Sequence, residues 1–343
     1  MSEFSSLASP SATRAVLERH GLATKKALGQ NFLVNDSIIG KICALSEVGP
    51  DDSVLEVGPG IGTLTVALCA RAGHVVSVER DTDLPQVLAE TCAPFDNFRL
   101  ISKDALALTA EDLASAENDL PSAVCSQDHA GVPERAEGSA CVEGSACVEG
   151  SACPEREGGA AEPFPMPDKF IANLPYAVAA TLVLDYFQRF DSIQSATVMV
   201  QKEVADRMMA AKGTKDYGAY TVKLNMIARP AGRFPVSPNN FFPPPRVDSA
   251  VIRLERRDLV EEGVTPVLMQ AACMAADAAF ASRRKTISNS MKTYFAGRGA
   301  GGAFLSEHVP DILERAGIDP GRRGESLDLD EFIALGKALL ETK

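Results

Sequence analysis

No two of the eight cysteines in this 343-residue chain form a C-x-x-C pair. That absence removes the commonest zinc and dithiol signatures. Cys43, Cys69, Cys92 and Cys273 stand singly among apolar residues. Reduced thiols are therefore expected rather than disulfides, and no metal. No uninterrupted apolar run reaches the length of a membrane span, and the start of the chain carries Glu3, several serines and Arg14 instead of a basic segment followed by an apolar one. A cytoplasmic protein without a membrane partner is the expectation.

Positive charge is also in deficit, with a formal net charge of −12. Most of that deficit is local. Residues 111–167 hold twelve acids against Arg135 and Arg156, a balance of −10 that leaves the remainder of the chain near −2. The acidic total thus does not exclude a polyanionic partner, whose binding depends on where Lys and Arg cluster. Within this stretch the hexapeptide E-G-S-A-C-V is repeated from Glu137, from Glu143 and, ending in Pro154, from Glu149. Such a composition cannot collapse, so 111–167 reads as a disordered surface insertion, and the spacing of Cys141, Cys147 and Cys153 matches no common metal site.

What is present centres on Ser53–Thr65, S-V-L-E-V-G-P-G-I-G-T-L-T. It reads as strand, tight turn and helix. Gly58, Gly60 and Gly62 allow positive φ and a close approach of backbone to a ligand. A dinucleotide fingerprint would want its third glycine at Thr63, which weakens a nicotinamide or flavin reading. The next strand ends in Glu79, twenty-one residues after Gly58, where a carboxylate can accept both hydroxyls of a ribose. Turn plus acid point to an adenosine-containing ligand. At the exit of a third strand, Phe98–Ile101, Asp104 can accept an adenine amine or simply cap the next turn.

Strands and helices alternate up to Glu255, and strands then cease. An α/β domain with a largely parallel sheet is expected, followed by a small helical domain. The boundaries read as a flexible N-terminal arm at 1–24, the α/β domain at 25–255 and the helical domain at 256–343. Asp36 or Ser37 caps a helix running to Ser46, and Asp83–Thr91 forms another. Val222–Ala228 resembles a strand, and Pro235–Ser249 is a stiff loop. Gly297–Gly302 is a loop before helices at about Phe304–Ala316 and Asp328–Leu340. The basic stretch Lys25–Asn35 is either an arm anchored by Phe32 and Leu33 or a ligand lid with Lys25 and Lys26 facing phosphates. Arg283, Arg284 and Lys285 form the densest positive cluster, either a solvated helix face or an RNA phosphate contact.

A second chemical motif, Asn173-Leu174-Pro175-Tyr176, follows the strand Asp168–Ala172. It suits a planar amine. The Asn side-chain oxygen and a neighbouring carbonyl can each accept one N–H of an exocyclic NH₂ while the Tyr ring stacks on the base. With a sulfonium methyl as electrophile no strong general base is needed, because the leaving group is neutral. Positioning then carries most of the rate.

The G-x-G-x-G turn, Glu79, Asp104 and N-L-P-Y together resemble an S-adenosyl-L-methionine-dependent adenine-N6 methyltransferase. L-G-Q-N-F-L from Leu28, F-F-P-P-P-R-V-D-S-A-V from Phe241 and F-A-S-R-R-K-T from Phe280 resemble more specifically the ribosomal RNA adenine dimethyltransferase family, in its small-subunit branch. The likeness runs from about Lys25 to the C-terminus, interrupted by the acidic insertion. It implies a Rossmann-like class I methyltransferase domain with a small all-helical C-terminal domain. It also implies N6-dimethylation of two adjacent adenosines in the 3′-terminal hairpin of small-subunit rRNA, with the immature 30S subunit as partner and a monomeric enzyme. Carried onto matching positions, Asn31, Leu33, Gly58, Gly60, Glu79, Asp104 and Asn173 would hold the cofactor. Asn173, Pro175, Tyr176 and Phe241 would hold the target adenine, with Tyr176 and Phe241 as its sandwich. Lys25, Lys26, Arg283, Arg284 and Lys285 would contact RNA, and a −10 segment beside the RNA groove would weaken that contact. Alternatives are a large-subunit rRNA methylase and an assembly factor acting mainly by binding.

Gly60→Val is expected to abolish binding of S-adenosyl-L-methionine in calorimetry while RNA retention on filters stays near wild type. Equal loss of both would contradict this placement of the turn.

Overall fold

Apolar residues run almost continuously along the central strands, so one sheet buries both its faces. The computed structural model describes residues 3–23, 30–115, 117–121, 164–260 and 263–342. The chain opens with α1 (Pro10–Arg19), the short β1 (Phe32–Leu33) and α2 (Asp36–Ser46). Four strand-helix units follow: β2 (Ser53–Val57) with α3 (Thr63–Cys69), β3 (His74–Glu79) with α4 (Pro85–Thr91), β4 (Phe98–Ser102) with α5 (Ala110–Ala114), and β5 (Lys169–Asn173) with α6 (Ala179–Arg189). Then come β6 (Ser195–Gln201), α7 (Lys202–Met208), α8 (Ala219–Asn225), β7 (Ala228–Val236), β8 (Phe241–Phe242) and β9 (Ser249–Arg256). The remaining elements are helical: α9 (Pro266–Phe280), α10 (Ile287–Ala296), α11 (Gly299–Glu307), α12 (Val309–Arg315) and α13 (Leu329–Glu341).

The sheet order is β4-β3-β2-β5-β6-β9-β7. Strands β4 to β6 are parallel, and β9 runs antiparallel to both β6 and β7. Such a sheet places its ligand loops at the carboxyl ends of the parallel strands. Leu55 and Val57 of β2 join one buried layer, which continues through α6 and α8 into Ala275, Phe295 and Phe332 of the C-terminal helices. Val54 joins the opposite layer with Ile39, Ile42 and Leu68 under α2 and α3.

Several expectations are corrected. Of the segment expected as a strand at Val222–Ala228, Val222 to Asn225 lie in α8, where Val222 and Leu224 are fully buried and Tyr220 Oη donates to the Ala180 carbonyl at 2.8 Å, and only Ala228 enters a strand. Tertiary packing here overrides a short alternating pattern. β7 escaped notice because it contains Pro230 and Pro235. It is the outermost strand, where a missing N–H is tolerated, and its register shifts between Pro230 and Gly232. The run Gly297–Gly302 is not a loop, since α11 begins at Gly299. A Cβ at Gly302 would stand 2.4 Å from the Phe295 carbonyl, so glycine permits α11 to lie against the end of α10. The helix expected over Phe304–Ala316 is interrupted at His308, and Pro310 opens α12. Near the N-terminus residues 3–5 are tied down: the amides of Glu3, Phe4 and Ser5 donate to the Asp36 carboxylate at 2.7 to 3.2 Å. Asp36 is thereby engaged, and Asn35 caps α2 through Ser37 N–H.

Both flanks of 111–167, residues 111–115 and 117–121 on one side and 164–167 on the other, are part of the described fold. Asp112 belongs to the capping box of α5 and pairs with Lys103 at 2.6 Å, and Leu113 is buried. Residues 122–163, with the hexapeptide repeats, lie outside the described residues. The flanks are fixed. Asn118 accepts the Leu100 amide, Asp119 accepts that of Ser102, and both thereby cover the free edge of β4. On the return side Phe164 packs on His74, and Ser53 Oγ donates to the Pro165 carbonyl. Buried Arg99 joins the two flanks, donating to the Leu113 carbonyl at 2.7 Å and facing the Phe164 ring. These anchors lie along the outer strand and at the amino ends of β2 and β3. Replacing 122–163 by a short Gly-Ser linker is therefore expected to leave RNA affinity within about twofold and the melting temperature within about 3 °C. A tenfold gain in RNA affinity would place the acidic segment at the RNA groove after all.

Candidate active site

The turn after β2 carries φ of +68° at Gly58, +61° at Gly60 and +88° at Gly62. Gly58 N–H donates to the Val78 carbonyl at 3.0 Å, fixing the turn against β3. A Cβ at Gly60 would stand 3.0 Å from the Phe32 ring. Both left-handed backbone and contact therefore demand glycine there.

Glu79 leaves the adjacent strand beside this turn. Its Oε1 accepts the amides of Arg80 (2.9 Å) and Asp81 (2.8 Å), whereas Oε2 has only a long 3.4 Å contact with Gly60 N–H. Burial pushes its carboxyl above the usual range, and the three amides oppose that shift. One oxygen thus retains capacity for further donors. Asp104 stands at the next strand exit, where Oδ1 accepts Leu106 N–H at 3.0 Å and Oδ2 pairs with Arg80 at 3.2 Å. The capping role is therefore observed. Glu79 and Asp104 share a cleft of about 380 Å³ with Asp81, Pro85, Ser102 and Lys103.

The N-L-P-Y turn lies on the other side of the glycines. A Cβ at Gly58 would meet the Pro175 ring at 3.7 Å and the Asn173 carbonyl at 4.0 Å. Asn173 Nδ2 donates to the Asn31 carbonyl at 3.3 Å, which joins the L-G-Q-N-F-L segment to the β5 exit. Tyr176 is half-buried, with its hydroxyl 2.7 Å from Ser249 Oγ. Burial raises its phenol pKa, opposed by that hydrogen bond.

Two expected site residues do not present side chains here. Phe241 is 3% exposed and packs among Leu33, Val236 and Val251, so its ring has no free face for a base. The reason is the β1–β8 register: Phe241 pairs with Leu33 inside the core, while Phe242 pairs with Phe32 toward the glycine turn. Leu33 is itself 3% exposed, which leaves only its backbone for a ligand. Lys25 and Lys26 lie outside the described residues. Arg283 is committed to the fold, facing Glu325 at 3.4 Å and donating to the Tyr217 carbonyl at 3.0 Å, whereas Arg284 and Lys285 are exposed in the turn between α9 and α10.

Sequence reasoning passed over three residues. Asp81, 5% exposed, accepts Gln30 Nε2 at 2.8 Å and so holds the N-terminal segment against the β3 exit. In the sequence it stands two residues before the helix expected at Asp83 and carries no signal of its own. Ser249 went unremarked inside a proline-rich motif. Glu56 is 1% exposed, and its Oε2 accepts the hydroxyls of Thr65 and Ser77 at 2.7 Å each. Burial, with Glu79 nearby, raises its pKa to about 7, and the two hydroxyls oppose the shift. Its signal was a lone acid inside the apolar run S-V-L-E-V.

The model of the ribosomal RNA adenine dimethylase family matches residues 21–334. Proteins named ribosomal RNA small subunit methyltransferase A are similar along nearly their whole length. That of Geobacillus kaustophilus is 35% identical and that of Pelotomaculum thermopropionicum 36%, with 98% of each chain covered in both cases. Among solved structures, a dimethyladenosine transferase from Plasmodium falciparum superposes with a TM-score of 0.63 at 20% identity, covering 89% of this chain and 95% of that one. A 23S rRNA methyltransferase, ErmE, gives 0.56 at 23% identity, covering 90% and 99%. These two likenesses establish a Rossmann-like methyltransferase fold with a helical C-terminal region.

Glu56 gives the site a pH signature. Unfolded, the carboxyl ionises near pH 4.5, whereas in the fold it holds its proton to about pH 7. Stability from this group is thus full below pH 4.5 and falls between pH 4.5 and 7, by up to about 1.4 kcal/mol per pH unit. Urea unfolding across that window is expected to show the wild type losing stability relative to Glu56→Gln. Parallel curves for the two proteins would contradict it.

Proposed function

The chain belongs to the ribosomal RNA adenine dimethylase family, and from that premise we propose that it dimethylates N6 of two adjacent adenosines in the 3′-terminal hairpin of small-subunit rRNA, within the immature 30S particle. The observation that carries this reading is the convergence of the glycine turn, Glu79 and the Asn173–Tyr176 turn at the carboxyl ends of adjacent parallel strands. Support for the small-subunit substrate comes from the names of the full-length relatives. The likeness to a 23S rRNA methyltransferase concerns the fold alone.

The residues present fit S-adenosyl-L-methionine. Glu79 Oε2 is a half-buried acceptor with spare capacity for a ribose diol. Gly60 keeps side-chain atoms off this face of the turn, where a Cβ would press on the Phe32 ring at 3.0 Å. Asp104 borders the same cleft where an adenine amine would be received. When bound, this cofactor supplies an electrophilic sulfonium methyl whose departure leaves a neutral thioether.

Asn173 donates through Nδ2 to the Asn31 carbonyl, so Oδ1 is the side-chain acceptor that remains for an incoming amine. Oδ1 and a backbone carbonyl of the turn accept the two N–H groups, drawing the nitrogen lone pair out of conjugation with the ring. Pro175 stiffens the turn, and its carbonyl accepts Val178 N–H at 3.1 Å. Tyr176 supplies the stacking face. Arg284, Lys285, Lys25 and Lys26 meet RNA phosphates, while Arg283 secures the turn that presents the first two. Among the described residues no helix is long and apolar enough to cross a membrane, and no group of acids, His and Cys could hold a metal ion.

Purified protein with labelled S-adenosyl-L-methionine is expected to methylate small subunits that lack the modification and to leave large subunits unlabelled. Asn173→Ala should lower that rate by about a hundredfold, the cost of misplacing a reacting group. An unlabelled small subunit, or an Asn173→Ala rate equal to wild type, would refute the assignment.

A further inference from the structure

The proline-rich segment before β9 contributes more to the site than a stiff connection. We infer that Ser249 is a positioning residue that fixes the Tyr176 ring as the stacking platform for the target adenine. This inference rests on the reading of Tyr176 given above.

Ser249 is the first residue of β9 and is fully buried. It pairs with Gln201 of β6 on one side and Val236 of β7 on the other. Just before it, the Asp248 carbonyl accepts Lys202 N–H at 2.9 Å. Two ladders therefore fix its backbone, and with it a hydroxyl that moves little. Tyr176 has no such support. It lies in the turn beyond β5, half-buried, and its side-chain hydrogen bond among the described residues is the one to Ser249 at 2.7 Å.

A ring used for stacking must hold its plane at both side-chain torsions, and a phenol hydroxyl tied to a rigid point restricts both. Without Ser249, the Tyr hydroxyl would lose its partner in a partly dry pocket, which favours rotation toward water. The ring would then spend part of its time away from the plane that a base requires. Because Ser249 lies on β9, it also links the target-base side of the cleft to the antiparallel end of the sheet. The glycine turn and Glu79 occupy the other end. Loss of the anchor should thus affect RNA turnover and leave cofactor binding intact.

A double-mutant cycle tests this on the full chain with unmodified small subunits. Ser249→Ala and Tyr176→Phe are each expected to lower kcat/KM for the subunit by about three- to tenfold, as for loss of one neutral hydrogen bond. The affinity for S-adenosyl-L-methionine should be unchanged in both, and the double variant should be no worse than either single one. Multiplying losses, or an equal fall in cofactor affinity, would overturn the inference by making Ser249 a general packing residue. Should Ser249→Ala unfold, Tyr176→Phe alone decides, since it removes the same bond from the half-exposed side. Wild-type activity in Tyr176→Phe with a dead Tyr176→Ala overturns the anchor alone. Wild-type activity in Tyr176→Ala removes the stacking role itself, and the anchor with it.

Discussion

The parallel pairing of β2 with β5 is the constraint on which the site depends. Val54 pairs with Lys169 and Leu55 with Phe170, so two strands far apart in sequence leave the sheet side by side and in the same direction. Their register is secured at the opposite end, where Ser53 N–H donates to Asp168 Oδ1 at 2.8 Å and Asp168 N–H to the Ser53 carbonyl at 2.9 Å. A one-residue slip would reverse which side chains face each layer and would pull the glycine turn away from the N-L-P-Y turn. The two glycines next to that junction differ in their demands. At Gly58 a Cβ would find ordinary contact distances, so its φ of +68° is the restriction, whereas at Gly60 a φ of +61° and the Phe32 ring act together.

From this junction the remaining groups are placed by neighbours. β3 brings Glu79 alongside the turn, and β4 brings Asp104 one strand further out. The β1–β8 ribbon lays Phe32 over Gly60 and sets the Asn31 carbonyl against Asn173. Residues 30–33 of the L-G-Q-N-F-L segment are therefore tied by the ribbon, by Asn173 and by the bond from Gln30 to buried Asp81. Burial of Glu56 directly beneath the turn adds a carboxyl that keeps its proton to about pH 7. A neutral acid in that position spares the half-buried Glu79 a second negative neighbour.

Much of this was legible because parallel strands announce themselves by continuous apolar runs and because glycine, acid and N-L-P-Y fall at strand exits. The fold class, the positions along the chain of the strands from Ser53 to Gln201, and the placement of Gly58, Glu79, Asp104 and Asn173 at strand exits followed from those signals. What escaped was decided by tertiary contact. β7 tolerates two prolines only because it is an edge, and α8 is helical because its apolar residues meet α9 and β7. Gly302 sits in a helix because another helix passes close to it. Phe241 and Phe242 are adjacent aromatics in sequence, and only the ribbon register decides which is buried. Arg283 looks like its neighbours in R-R-K, yet the Tyr217 carbonyl and Glu325 claim it.

The most direct test is to map N6-dimethyladenosine by mass spectrometry of rRNA fragments from cells with and without this gene. The account predicts loss at two adjacent adenosines of the small-subunit 3′-terminal hairpin, restored by the wild-type gene but not by Asn173→Ala. Unchanged small-subunit RNA, or a loss confined to the large subunit, would contradict it.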